Sequence, residues 1–149
     1  MYHSLIFQAD NDGRRYNTWS NWHLIPSSRP VVVLPTPVYK YIDIPGRHGS
    51  LDISEYLTGQ VIYSDRKGSF TFYVDNNNRN WASRRAELAT FFNGKKMKMW
   101  LEDEPAYYYY GRFVLKEWRT DSNSNYSQVT IDYQVAPFKY LSNGEEAGL

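Results

Sequence analysis

The chain has 149 residues, the size of one domain, and is 42% hydrophobic and 17% aromatic, enough to bury a core. Seventeen Lys and Arg against 16 Asp and Glu leave a net charge of +1, which gives no electrostatic case for a nucleic-acid or membrane partner. There is no Cys, so disulfides, thiol catalysis and cysteine zinc sites are excluded, and no apolar run approaches the ~20 residues of a membrane span.

The N-terminus MYHSLIFQADND lacks a basic start before a long apolar stretch, so no signal peptide is expected. His3 to Phe7 predicts a first strand, and Asp12-Gly13 marks a hairpin turn after it. Thr18 to Ile25 predicts a strand with Trp19 and Trp22 on opposite faces. Pro26, Pro30, Pro35 and Pro37 then forbid helix and predict an extended edge or crossover segment. Val38 to Ile44 predicts a strand that stops at Pro45-Gly46. Gly46 to Gly59 predicts a long loop with one turn at Ile53 to Leu57.

Val61 to Arg66 and Ser69 to Val74 flank Lys67-Gly68 and predict a hairpin. Asn80 to Gly94 predicts one helix, capped by Asn80 and ended by Gly94, with Trp81, Leu88 and Phe92 on one stripe and Phe91 at its edge. Met97, Met99 and Leu101 alternate with Lys96, Lys98 and Trp100. Tyr107 to Trp118 is a longer strand, and Val129, Ile131, Tyr133 and Val135 alternate in the last one. Arg119 to Tyr126 turns between these two. After Tyr140 the segment LSNGEEAGL has no apolar pattern, which predicts a frayed end over 141–149. Strands, one helix, then strands predict an α+β fold: a mostly antiparallel β-sandwich with one covering helix.

Tyr41 to Gly59, YIDIPGRHGSLDISEYLTG, gathers Gly, Asp, Glu, His and Arg in a short span. Its glycine spacing fails the P-loop, because two residues separate Gly46 from Gly49 and no Lys follows. His48 has Asp43 and Asp52 nearby, yet Ser50 and Ser54 lack a nucleophile context. His3, His23 and His48 are scattered, without ligand spacing, and the run Glu102 to Glu104 reads as a solvated turn. No enzyme, cofactor or metal is expected. Gly46, Gly49, Gly59 and Gly94 read as structural turns. Fourteen Tyr and five Trp suit pleated surfaces and interfaces. Tyr107 to Tyr110, with Trp118, leave open a small carbohydrate-binding β-sandwich as the second reading.

Taken in order, DIPGRHGSLDIS, the R-x-G-x-F-x-F pattern from Arg66 to Phe72, and LEDEPAYYYYGRF resemble the N-terminal ring domain of the distal tail protein (Dit) family of long-tailed phages and prophages of Gram-positive bacteria. The resemblance covers residues 1–140. It implies a tail-tube-like sandwich and a non-enzymatic ring, hexameric in that family. Such a ring at the tail tip joins the tail tube protein to a tail-associated lysin or hub protein, beside the tape-measure protein. Its lumen passes DNA without sequence-specific binding, and no membrane is involved. Assembly in the host cytoplasm and residence in the virion follow. The chain ends after the ring domain, so the anchoring role of a larger member's C-terminal domain is not expected of it. For the subunit interface the expected residues are Trp19, Trp22, Pro35, Pro37, Arg47, Leu51, Ile53, Tyr56, Leu57 and Tyr63.

Overall fold

The computed structural model describes residues 3–56, 58–75, 81–121 and 125–149. In chain order it contains β1 (Leu5–Ala9), β2 (Tyr16–Asn17), β3 (Ile25–Pro26), β4 (Pro37–Val38), β5 (Tyr41–Ile42), β6 (Leu51–Asp52), β7 (Ile62–Tyr63) and β8 (Arg66–Asp75). Helix α1 (Trp81–Phe91) follows, then β9 (Asn93–Leu101), β10 (Glu104–Thr120), β11 (Tyr126–Val135), β12 (Lys139–Leu141) and β13 (Glu146–Gly148). The principal sheet runs β2-β1-β9-β10-β11-β8-β3, with every pairing antiparallel. The fold is α+β, mostly antiparallel, with one helix among the described residues.

Period-2 alternation sends one face of each long strand inward. Leu5, Phe7 and Ala9 of β1 meet Met97, Met99 and Leu101 of β9, while Phe70, Phe72 and Val74 of β8 meet Val129, Ile131 and Val135 of β11. At the centre Phe7 makes edge contacts with Phe92 at 4.9 Å and Phe113 at 5.1 Å. Burying one such ring stabilises the fold by roughly 1.5–3 kcal/mol.

The sheet curls on itself. Its terminal strands β2 and β3 are joined by residues 18–24, where Leu24 N–H donates to the Thr18 carbonyl, while Thr18 N–H bonds the Leu5 carbonyl of β1 and Ser27 N–H the Thr71 carbonyl of β8. The two edges of one sheet thereby enclose the core as a sandwich.

Five expectations are corrected. Thr18 to Leu24 is a turn-bearing connection rather than a strand, with only Ile25 paired, because the Asn17 side-chain oxygen accepts the Trp19 and Ser20 amides and starts a helical turn. Lys67-Gly68 is no hairpin turn but lies within continuous β8. Gly68 is small because a Cβ there would stand 2.4 Å from the Tyr133 hydroxyl. Val38 to Ile44 splits into β4 and β5, which belong to two separate two-stranded ladders. The frayed end is instead a hairpin: β12 pairs with Tyr107 and Tyr108 of β10, and β13 pairs with β12. Trp81, placed on the buried stripe of the helix, is 39% exposed, and Leu88 alone of the helix is fully buried. The expected cap Asn80 and the middle of the 119–126 turn lie outside the described residues.

Candidate functional site

Between the approach segment and β8 the chain leaves the sandwich as a two-limbed arm. At its root Ser64 N–H donates to the Thr36 carbonyl at 2.9 Å, and Pro37 pairs with Tyr63 and Val38 with Ile62. Farther out Ile53 N–H donates to the Lys40 carbonyl, and Tyr41 pairs with Asp52 and Ile42 with Leu51. The return limb makes an extra excursion between these ladders, where Gly59 N–H bonds the Glu55 carbonyl at 2.8 Å. The stretch expected as a plain loop is therefore the tip and return limb of a hairpin. At 3.3 Å per residue, the limb from Thr36 to Ile44 spans up to about 26 Å. Neither limb pairs with the principal sheet.

The turn chemistry of the tip is local. Gly46 and Gly49 hold φ of 81° and 73°, which side-chain-bearing residues resist. Gly59 and Gly94 also have positive φ, at 71° and 88°. Asp43 accepts from the Ser50 hydroxyl, and Asp52 accepts the Ser54 hydroxyl and amide, which hold the Asp52 carboxyl below its ordinary range. Both acids near His48 are thus committed to serines. No cluster of three metal-ligating side chains exists among the described residues.

What distinguishes the arm is its surface. Of the sixteen large hydrophobic side chains exposed among the described residues, eight lie on the arm between Val38 and Ile62 and three more, Val31, Val33 and Leu34, on its approach. They include Leu34 (74% exposed), Tyr39, Tyr41, Ile42 and Tyr56 (82% exposed). So much apolar surface gathered on so slender an element exceeds the scattered single exposures of an ordinary protein surface.

The sequence-selected residues divide by position. Arg47, Leu51 and Tyr56 are exposed on the arm, and Ile53, Pro37 and Tyr63 are half-buried there. Trp19 is half-buried outside the arm, in the tight turn against His23. Trp22 and Pro35 are buried in their own subunit, and Trp22 stacks on Tyr16 at 5.7 Å. Both side chains are packed within their own subunit. Leu57 lies outside the described residues. Sequence reasoning missed the outgoing limb, Val38 to Ile44, because apolar residues on both faces of a strand read as a buried strand.

The rings of the second reading are also occupied. Tyr109 is buried in the core, and Tyr108 is buried against Tyr140 at 5.5 Å. Tyr110 donates its hydroxyl to Asp10, which pushes its pKa up to about 12. Trp118 packs on the core, with its indole nitrogen enclosed. Tyr107 is half-buried, with the Lys139 ammonium 4.7 Å from its ring centre.

The acidic turn is structural as well. Ser4 donates its amide and hydroxyl to Glu102, which lowers the Glu102 pKa. Asp103 faces His3 and Arg29, and Glu104 takes Lys139 at 2.5 Å, which raises the Lys139 pKa. No helix among the described residues is long and apolar enough to cross a membrane.

Comparison with known proteins places this arrangement. The profile of the phage tail protein RIFT-related domain matches residues 21–132, well over half of the chain. No curated protein sequence matches. Among solved structures, the crystal structure of the Dit protein of phage SPP1, described as a paradigm of the hub adsorption apparatus in phages infecting Gram-positive bacteria, superposes with a TM-score of 0.62 at 15% identity. The match covers 92% of this chain and 52% of that one, so the chain spans about half the length of its structural relative. With the sandwich and its arm described, the family is established: the chain belongs to the phage tail proteins built on the RIFT-related domain and has a structural role in a phage tail.

Proposed function

We propose that the chain is a non-enzymatic ring subunit of a phage tail tip, and that each subunit lays its arm on the next. The observation that carries this reading is the concentration of exposed apolar side chains between Val31 and Ile62. A closed ring needs a heterologous contact, in which one face of a subunit meets a different face of its neighbour. An arm that leaves its own sandwich supplies one such face. A stable interface takes roughly 20–30 residues a side, and the run from Val31 to Ser64 is long enough to supply that many. Tyr56, Leu51 and Ile53 are the proposed anchors, flanked by Arg47, Pro37 and Tyr63. Six copies close the ring. Its faces receive the tail tube protein and a lysin or hub protein, with the tape-measure protein near the lumen through which DNA leaves.

The test is the solution mass and the particle shape. The expected species has about six times the 17.6 kDa of the subunit and forms annuli by negative-stain microscopy. Ile42→Asp with Tyr56→Asp should return it to monomers with an unchanged melting temperature. A wild-type chain that stays monomeric at high concentration, both alone and with its tube protein, would sink the ring reading.

A further inference from the structure

The spaced pattern Arg66, Gly68, Phe70, Phe72 acquires a role at the root of the arm. Arg66 is 2% exposed and lies two residues beyond Ser64, which closes the last backbone pair of the return limb. Its Nε donates to the Pro137 carbonyl at 3.0 Å, and its Nη1 donates to the Val33 carbonyl at 3.2 Å. Val33 stands three residues before the outgoing limb begins at Thr36. The Val33 N–H is also taken, donating to the Tyr133 hydroxyl at 3.0 Å. Both backbone groups of Val33 are therefore held by side chains of the sandwich. Gly68 clears the space that the Tyr133 hydroxyl needs for this bond.

The chemistry of the clamp is unusual for a buried cation. Arg66 has no carboxylate within ion-pair distance among the described residues. It has two carbonyls, the Tyr109 ring 5.2 Å away, and an enclosed Nη2 with no protein partner. A buried charge without a counterion is costly, and carbonyl bonds to a guanidinium are stronger than neutral ones. The planar fork holds two acceptors in fixed directions, which an ammonium cannot do.

We propose that Arg66 is a positioning residue that aims the arm. It ties the outgoing foot at Val33 to the strand that carries the returning foot, and both to the exit of β11 at Pro137. With its feet pinned at one point the arm cannot splay or swing at its root. Only the purpose of this clamp rests on the ring reading; the clamp itself does not.

The chain has no Cys, so paired spin labels can be placed freely. One pair, Arg47→Cys with Lys116→Cys, reports arm tip against sandwich. A second, Arg85→Cys with Lys116→Cys, reports the sandwich alone. Distances are measured on labelled protein diluted into unlabelled protein. The wild type should give a narrow tip distance. Arg66→Met and Arg66→Lys should widen it to at least about twice that width, and Tyr133→Phe should widen it less, with the sandwich distance unchanged in all three. A broad wild-type tip distance would overturn the proposal, as would a tip distance unmoved by both Arg66 variants. Widening of the sandwich distance in step with the tip in all three variants would also overturn it. Mass is read on the same samples. A widened arm in a ring that still closes would support the clamp while removing the arm from ring closure.

Discussion

Aromatic side chains meet in two settings here. In the sandwich Phe7 lies within about 5 Å of two other rings and is wholly buried. In the arm Tyr39 and Tyr41 approach to 6.2 Å, yet each stays more than half exposed. The local sequences are alike in apolar content. The difference is a covering layer: Phe92 and Phe113 close over Phe7, whereas Tyr39 and Tyr41 have no such cover among the described residues. Proximity of apolar groups alone does not make a core.

The sharpest way to break this comparison is to truncate one ring in each region. Phe7→Ala should lower stability by about 3–5 kcal/mol in denaturant unfolding. Tyr41→Ala should change it by less than about 0.5 kcal/mol. Equal losses would mean that the arm is part of the cooperative core.

Glycines give a second contrast. A Cβ at Gly111 would sit 2.2 Å from the Gln134 carbonyl oxygen, so Gly111→Ala should force two paired strands apart and cost about 1–3 kcal/mol globally. Gly46 and Gly49 face open space, and only their φ opposes a side chain. Gly46→Val or Gly49→Val should impose about 1–2 kcal/mol of strain confined to the tip. The unfolding midpoint should hold while ring formation falls, and intact rings in both variants would count against a shaped tip.

Acid titration separates the two regions more gently. Ser4 holds the Glu102 carboxyl below its ordinary range. A depressed folded pKa stabilises the fold above the unfolded value near 4.5, and the contribution is lost as pH falls through the folded pKa. Glu102→Gln should therefore flatten the loss of stability below pH 4.5 in acid unfolding curves. Asp52, depressed by Ser54 on the exposed arm, contributes in the same sense, and Asp52→Asn should flatten the curve in the same direction but by less. The smallest effect is expected of His48→Ala, with ring formation intact and stability within about 0.5 kcal/mol of wild type. A large loss there would restore a specific role for the imidazole.

The strands that alternate on one face were legible in the sequence. Met97 to Leu101, Phe70 to Val74 and Val129 to Val135 carry period 2 and are buried on it. The helix was legible from Leu88 and Phe92, although Trp81 shows that its stripe was drawn too wide. The two-residue ladders of the arm were not legible. Strands that short carry no period, and their partners lie up to 26 residues away, as with Pro37 and Tyr63. The positions of the expected interface residues were half legible: some are exposed on the arm and some are packed in their own subunit. Tyr56 and Leu51 stood out as apolar residues in a polar stretch, but Trp22 looked no different from an anchor until its stacking partners were known. Arg66 was visible as part of a pattern. Its partners, the Val33 and Pro137 carbonyls, leave no mark in side-chain sequence.

The four prolines at 26, 30, 35 and 37 have a consequence beyond excluding helix. Each fixes one backbone torsion before the chain folds, so the approach to the arm has few conformations to lose. Association is opposed by the ordering of mobile segments at an interface. Here much of that ordering is already present in the free subunit. In the proposed ring, the segment leading to the exposed apolar surface would reach its neighbour stiff, and its entropy of docking would be correspondingly small.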